Sequence, residues 1–405
     1  MARIRILIGA HLSTAPRPFK EARALAEAGH DVTVQGVWYD GVLAGRDESL
    51  LRKAPFTFVP VVDLRRSGLL PRLRRRLGME TWRRFKRFSP SSLGYGVRQH
   101  LAQARAAKAD LTIAHSEGTL WVAAQLANEG CRVGVDFEDW FSEDLPESER
   151  LRRPVVRLRD LERHLLRHAR YRLAPSHAMA RALGEMAGTE PPVCVYNVFP
   201  IADRHAPAPP VTDRRSLAVP SLHWFSQTIG PGRGLETLLA ALPHLNYRAE
   251  VHLRGETTRA ARRWLDELIP PAWRDRVFVH GTVHNSELLL RIASHDIGLA
   301  LETPAIRSRD LTVTNKLFQY LLADLAVVAT ATTGQREVAA RANGAVKLVP
   351  PDDPPALAAA IDAWLAFPAH LTVARHAAHE AVRTQFCWEN QREHLLDEAA
   401  LALVP

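Results

Sequence analysis

Short apolar, β-branched runs alternate with helix-like segments along this chain, stop at a proline-rich stretch, and then start over. The first run, "IRILIGA" (4–10), shows no amphipathic period, as expected of a strand buried on both faces. A loop, "HLSTAPRP", leads into "FKEARALAEAGH", which has helical spacing and ends at Gly29, a residue suited to closing a helix. "DVTVQG" (31–36) is the next strand, completing a β-α-β unit. Further strands are expected at 56–62, 110–116, 131–139, 171–176 and 192–198, with helices near 96–107, 118–129 and 149–169 and another before the last strand. The segment "PIADRHAPAPPVTDRR" (200–215) holds four prolines and no apolar period, and reads as a linker. Beyond it the alternation resumes with strands at 221–227, 249–255, 276–281, 296–302, 326–330 and 345–349. Two final helices, roughly 369–384 and 387–403, have no strand after them. The fold class is therefore α/β: two doubly wound parallel-sheet domains, 1–199 and 216–368, joined by the linker and followed by C-terminal helices (369–405) packing across the domains. In open parallel sheets ligands bind beyond the carboxyl ends of the strands, so a site is expected in a cleft onto which both sheets face.

The 405 residues, 46% hydrophobic and 24% charged, are enough for a large core without a disulfide framework. Cys131, Cys194 and Cys387 stand apart, with no CxxC pair and no histidine at metal-ligand spacing; they read as reduced core thiols of a cytoplasmic protein. The N-terminal apolar run is too short for a signal peptide, and no window approaches 18 apolar residues. The net charge of +9 is concentrated in residues 64–88, "LRRSGLLPRLRRRLGMETWRRFKRF", where nine Arg and one Lys meet a single acid, Glu80. Leu70, Leu73 and Leu77 share a helical face, and Trp82, Phe85 and Phe88 extend the apolar stripe. Such a helix suits peripheral contact with an anionic membrane. Packed on its domain through the leucines, it would instead be an ordinary basic surface helix. No recognisable nucleic-acid module accompanies the charge, so nucleic acid is not expected as a partner.

Three places carry candidate chemistry. The turn "TIGPGRG" offers Gly230, Gly232 and Gly234 for close backbone approach, Arg233 as a cation, and a helix N-terminus behind it; it can cradle a diphosphate or simply make a tight turn. In "TNKLFQYLLADLAVVATATTGQREV" (314–338), Thr314 is expected to cap a helix that begins at Asn315. Lys316 then falls in the first turn, where a cation opposes the helix dipole unless an anion is bound there. Gln319 follows on the same face, able to hydrogen-bond a diol, and Glu337 is expected at the start of the next helix after Gly334. Finally, "DFEDWFSED" (136–144) gathers five acids at a strand end: either Glu138 and Asp139 face the cleft, where a carboxylate can act as a general base or bind sugar hydroxyls, or the stretch is a solvated acidic loop docked on the chain's own arginine-rich helix. "HSEG" (115–118) is a second strand end, with His115 and Glu117 as candidate site residues or, for the lone histidine, a structural role.

The order strand, "GPGRGLE", strand, "RG", strand, "HG", "DIGLAL", "TNKLFQYLLADLAVVAT", "TGQREV" resembles the C-terminal half of nucleotide-sugar glycosyltransferases of the GT-B fold, family 4 type. "PRPFKEARALAEAGHDVTV", "VDFEDWFSED" and "VYNVF" are similar to the N-terminal half of the same family. The resemblance implies transfer of a sugar from a nucleotide diphosphate sugar to a hydroxyl of a glycan or lipid-linked acceptor, with retention of configuration, no metal and no further cofactor. It implies a donor site of Gly230, Gly232, Arg233, Gly234, Thr314, Asn315, Lys316, Gln319 and Glu337. It further implies acceptor contacts from His11, Ser13, Arg17, His115, Glu117 and Glu138, and catalytic roles for Glu138, Asp139, Arg233 and Lys316. The chain departs from the family pattern at Gln319 and Leu311, where two glutamates are usual. It departs again at Arg233 for a lysine, Gln227 for an arginine, and Glu138 for a histidine. These departures leave a non-catalytic binding protein, and a nucleotide-sugar epimerase of the same fold, as alternatives.

Overall fold

The computed structural model describes residues 1–205 and 213–404; part of the expected linker, residues 206–212, lies outside the described residues. The chain divides into two units, Met1–Val195 with Arg392–Pro405, and Tyr196–Gln391.

The first unit is built on seven strands: β1 (Arg3–Leu7), β2 (Asp31–Trp38), β3 (Thr57–Asp63), β4 (Leu111–Ala114), β5 (Val133–Asp136), β6 (Tyr171–Ala174) and β7 (Val193–Cys194). They pair in parallel in the order β3-β2-β1-β4-β5-β6-β7. The second unit has six: β8 (Ser221–Thr228), β9 (Glu250–Glu256), β10 (Val277–His280), β11 (Ile297–Ala300), β12 (Ala326–Thr330) and β13 (Val346–Val349), parallel in the order β10-β9-β8-β11-β12-β13. Each unit is thus a Rossmann-like sheet, and the strand order reverses at β1/β4 and at β8/β11. A ligand crevice forms at such a reversal because the crossovers leave in opposite directions. The central strands β4, β5, β11 and β12 are buried along their whole length, which is why they read as unbroken apolar runs.

The helices that matter for the site are α1 (Pro16–Glu27), α2 (Leu69–Phe85), α3 (Glu117–Asn128), α4 (Val155–His168), α5 (Leu235–Ala241), α6 (Asn315–Leu322) and α7 (Thr333–Ala339). Expectation and structure differ in identifiable places. Helix α4 starts at Val155 rather than near 149, because Pro154 lacks an N–H and disfavours helical geometry in the residue before it. Strand β7 is two residues long: Val195 N–H still donates to Ala174 O (2.9 Å), but Tyr196 N–H turns to the Gln391 side chain (2.8 Å) and leaves the ladder. A helix at Gly41–Leu51, not expected from the sequence, is capped by Asp40, whose side chain accepts from Leu43 N–H. None of the three cysteines is in a disulfide; Cys387 is buried, Cys194 half-buried, and Cys131 is exposed at the turn before β5 and is not a core thiol. Among the described residues no single helix is long and apolar enough to cross a membrane.

Candidate active site

In the first unit a cavity of about 570 Å³ opens at the carboxyl ends of β1, β4 and β5. Gly9, Thr14, His115, Ser116, Glu117, Glu138 and Asp139 are among its walls. Beneath it lies a buried charge network. His115, just past β4, meets Glu138 Oε1 through Nδ1 (2.9 Å) and Glu21 through Nε2. Glu21, from α1, also accepts from the Tyr171 hydroxyl on β6. Asp136, at the end of β5, accepts from Arg17 Nε (2.6 Å), and Arg17 Nη1 donates to Val195 O (2.5 Å). Burial alone would lower the basicity of His115, but the charge of Glu21, the hydrogen bonds to Glu138 and Glu21, and the charge of Asp136 raise it to about 10. His115 is an imidazolium at neutral pH with both ring N–H groups taken. It therefore holds Glu138 in place and cannot accept a proton. Glu21, His115 and Asp136 bring possible metal-ligand atoms within 4.8 Å of one another, and each of the three already has a hydrogen-bonded or charged partner.

Several expected acceptor contacts have other work. His11 is fully buried: its Nδ1 meets Asp47 (3.0 Å), and its Nε2 accepts from Tyr39 N–H (2.9 Å) and Asp40 N–H (3.1 Å). Two incoming N–H groups require Nε2 to be bare, so His11 is a neutral tautomer that ties the first loop to the unexpected helix. Ser13 is held by Asp47 through its N–H (2.7 Å) and donates its hydroxyl to Leu43 O (3.3 Å). Arg17 is buried against Asp136. None of these three lines the cavity; Gly9, Ala10 and Thr14 do. Glu117 lines it but pairs with Arg153. Of the five acids in 136–144, Glu138 and Asp139 reach the cavity, while Glu143 pairs with Arg150 and Arg159 and not with the arginine-rich helix. Glu162 on α4 fixes the loop by accepting from Ser142 N–H (2.9 Å), Ser142 Oγ (2.6 Å) and Trp140 Nε1 (3.2 Å); burial holds its carboxyl up at about 7.

In the second unit a smaller cavity of about 200 Å³ lies at the carboxyl ends of β8, β11 and β12, lined by Gly232, Gly234, Leu301, Glu302 and Thr330. Gly234 precedes α5 with φ +77°, and a Cβ there would sit 2.4 Å from Leu301, so only glycine fits. Arg233 Nη1 donates to Ser226 Oγ (2.9 Å), and among the described residues no carboxylate pairs with its charge. Lys316, in the first turn of α6, is buried and ion-paired with Glu302. The conflict between its charge and the helix dipole is thus relieved by a protein carboxylate at the end of β11, a residue the sequence reading did not single out. Thr314 precedes α6; its side chain makes no cap bond, and its carbonyl accepts from Leu317 N–H in the first turn (3.1 Å). Asn315 accepts from Asn197 Nδ2 (3.1 Å). Gln319 is half-buried, and its Oε1 is a buried acceptor with no donor. Glu337 accepts from the Tyr196 hydroxyl (2.9 Å) and stands at the fifth position of α7 rather than at its start, because Thr332 takes the cap by accepting from Gln335 N–H (3.2 Å).

Two family models match this sequence: the Glycosyl transferase 4-like domain over residues 19–197 and Glycosyl transferases group 1 over residues 221–366. Each falls on one of the two sheets. This chain is a GT-B glycosyltransferase of the group 1 type. Solved structures share the fold at low identity. HepE from Anabaena, in complex with UDP and glucose, is 16% identical with a TM-score of 0.70 over 99% of this chain and 100% of its own. Sucrose-phosphate synthase from Thermosynechococcus elongatus is 17% identical with a TM-score of 0.68 over 99% and 98%. UDP-GlcNAc 2-epimerase from Neisseria meningitidis, bound to UDP-GlcNAc, is 12% identical with a TM-score of 0.59 over 98% and 99%. No curated protein sequence matches. In this glycosyltransferase the residues that sequence reasoning missed, Glu21, Tyr171, Asp47 and Glu302, are single acids or a tyrosine inside ordinary helix and strand patterns. Nothing local distinguishes them from surface residues until the fold brings their partners.

Proposed function

We propose that this glycosyltransferase takes its sugar from a nucleotide diphosphate sugar and passes it to a hydroxyl of a glycan or lipid-linked acceptor. We place the reaction in cell-surface polysaccharide or glycolipid synthesis at the inner face of the cell membrane. The carrying observation is in the second unit: Glu302 lines the glycine-walled cavity and also holds Lys316, so the Gly-rich turn and the start of α6 serve one place. Phosphate at that place would meet Arg233, which is suited to bidentate contact, and the N-terminal end of α6. The orphan Oε1 of Gln319 would accept from a ribose hydroxyl. HepE, of the same fold, is in complex with UDP and glucose, which favours a nucleotide diphosphate sugar as the donor.

The reaction runs without a metal in this reading: Arg233, Lys316 and helix N–H groups meet the charge that develops on the leaving diphosphate, which is a contribution aimed at the transition state. Glu138, clamped by the His115 imidazolium, and Asp139 accept hydrogen bonds from sugar hydroxyls in the first unit. Retention of configuration is the expected stereochemistry. The test is proton NMR of the anomeric signal during transfer from an α-linked UDP-sugar. An α-linked product supports the reading; a β-linked product, or release of a 2-epimerised sugar instead of transfer, overturns it.

A further inference from the structure

Helix α2 is two-faced in an unusual way. Its buried residue is Gly78, which packs on the turn at 89–92, where an added Cβ would lie 3.0 Å from Ser92 N. Arg75 is three residues before Gly78 and so shares that inward face, whereas Arg72, Arg74 and Arg76 are exposed. Arg75 stacks over the Tyr95 ring at 4.4 Å from its centroid and forms part of the wall of the cavity of the first unit. Its Nε is buried, and among the described residues it has no hydrogen-bond partner and Arg75 has no carboxylate in an ion pair. His100, 1% exposed, lines the same cavity, and neither of its ring nitrogens has a partner. Glu138 and Asp139 line the same cavity.

We infer that this cavity receives a phosphorylated saccharide, with its phosphate at Arg75 and His100 and its hydroxyls at Glu138 and Asp139. This rests on the glycosyltransferase reading and adds the charge class of the acceptor to it. A buried guanidinium donor without an acceptor is costly unless a ligand supplies one, and phosphate matches its planar fork. The carboxylates in the same wall would repel a second phosphate and accept from hydroxyls. His100 is kept neutral by burial, pushed down to about 4, so it offers one N–H to the phosphate without a competing charge. The same helix turns its leucines outward, so the phosphate could belong either to a lipid-linked sugar or to a free sugar phosphate.

The experiment follows the Arg75 Nε–H signal by NMR in the full chain, assigned by its loss in Arg75→Lys. The probes are inorganic phosphate, glucose 6-phosphate, the methyl phosphodiester of glucose 6-phosphate, and glucose. The inference predicts a saturable shift with the phosphate-bearing probes and none with glucose. It also predicts at least about tenfold weaker glucose 6-phosphate or phosphodiester binding in Arg75→Gln, with Arg72→Gln unchanged. Tighter binding of the diester points to a lipid-linked acceptor, and tighter binding of the monoester to a free sugar phosphate. Absence of any shift with all three phosphates, or equal binding by Arg75→Gln, overturns the inference. UDP titrated into the same samples separates the two levels. UDP binding with a silent Arg75 sinks this inference alone, while failure of UDP as well removes the donor reading on which it rests. A thermal melt of Arg75→Gln confirms that the variant is folded.

Discussion

Lys316 illustrates how a residue's role changes when its partner becomes visible. From the sequence it is a cation in a helix's first turn, available for phosphate; in the fold it is 9% exposed and paired with Glu302, itself 16% exposed. Removing one member of a buried pair leaves the other charge uncompensated, at a cost of about 3–5 kcal/mol. Lys316→Ala is therefore expected to lower stability by an amount in that range, and Lys316→Ala with Glu302→Gln to recover most of it. Urea titrations of the two variants check this, and equal midpoints for Lys316→Ala and wild type would show that the pair is not buried in solution. The residue scale is where the sequence was least legible. His11 and His115 follow strand ends and Arg17 opens helix α1, but their atoms are engaged by Asp47, Asp136, Glu21 and Glu138, which come from 23 to 119 residues away along elements whose packing no local pattern announces. The glycine turn was easier to read, because the φ of Gly234 and its approach to Leu301 depend mainly on the local strand-turn-helix geometry.

Elements were far more legible, since a two-sided parallel sheet demands long apolar strands and each strand carries its turn residues with it. The arginine-rich helix α2 is the instructive case. Leu70, Leu73 and Leu77 do share a face, but it is the outer one: they are 55%, 52% and 56% exposed. Trp82 is not on that stripe; it is half-buried, while Phe85 is exposed. The helix is anchored through Gly78, the one position whose lack of a side chain allows close approach, and not through its leucines. An exposed apolar stripe flanked by Arg72, Arg74 and Arg76 is what an anionic bilayer surface would cover, at about 1 kcal/mol per engaged cation. Sedimentation with vesicles containing anionic lipid is expected to pull the protein down at low salt, to release it at high salt, and to fail for Leu70→Ser/Leu73→Ser/Leu77→Ser. Wild type remaining in the supernatant at low salt would make α2 a solvated surface helix.

At the scale of the whole molecule, the two units should answer pH in opposite directions. His223, His252, His280 and His295 lie together in the second unit. His223 stacks on His295 at 4.5 Å, His252 packs beside His295 at 4.6 Å and stacks on His280 at 5.3 Å. Arg214, Arg254 and Arg291 face them, with Asp213 and Glu250 as counter-charges. Burial, with these cations, lowers all four, His280 to about 4 and His295 to about 3. A base lowered on folding binds its proton more readily when unfolded, so the second unit should lose stability as pH falls below the ordinary histidine value of about 6.5. His115 is raised to about 10, so its contribution to the first unit is complete below about 6.5 and fades as pH rises through 10. Glu162, held at about 7, weakens the same unit as pH rises toward that value, while buried His100, lowered to about 4, opposes them in acid. Hydrogen exchange read peptide by peptide is expected to show the second unit opening first at pH 5 and the first unit at pH 9; the same order at both would refute the assignment. The central claim is that the second unit binds a nucleoside diphosphate through its glycine turn and the start of α6. Calorimetry of UDP, GDP, ADP and dTDP against wild type, Arg233→Ala and Gln319→Leu tests it directly. The account predicts that one of them binds and that each variant weakens it about tenfold, or 1.4 kcal/mol; no binding by any of the four, or unchanged affinity in both variants, would contradict it.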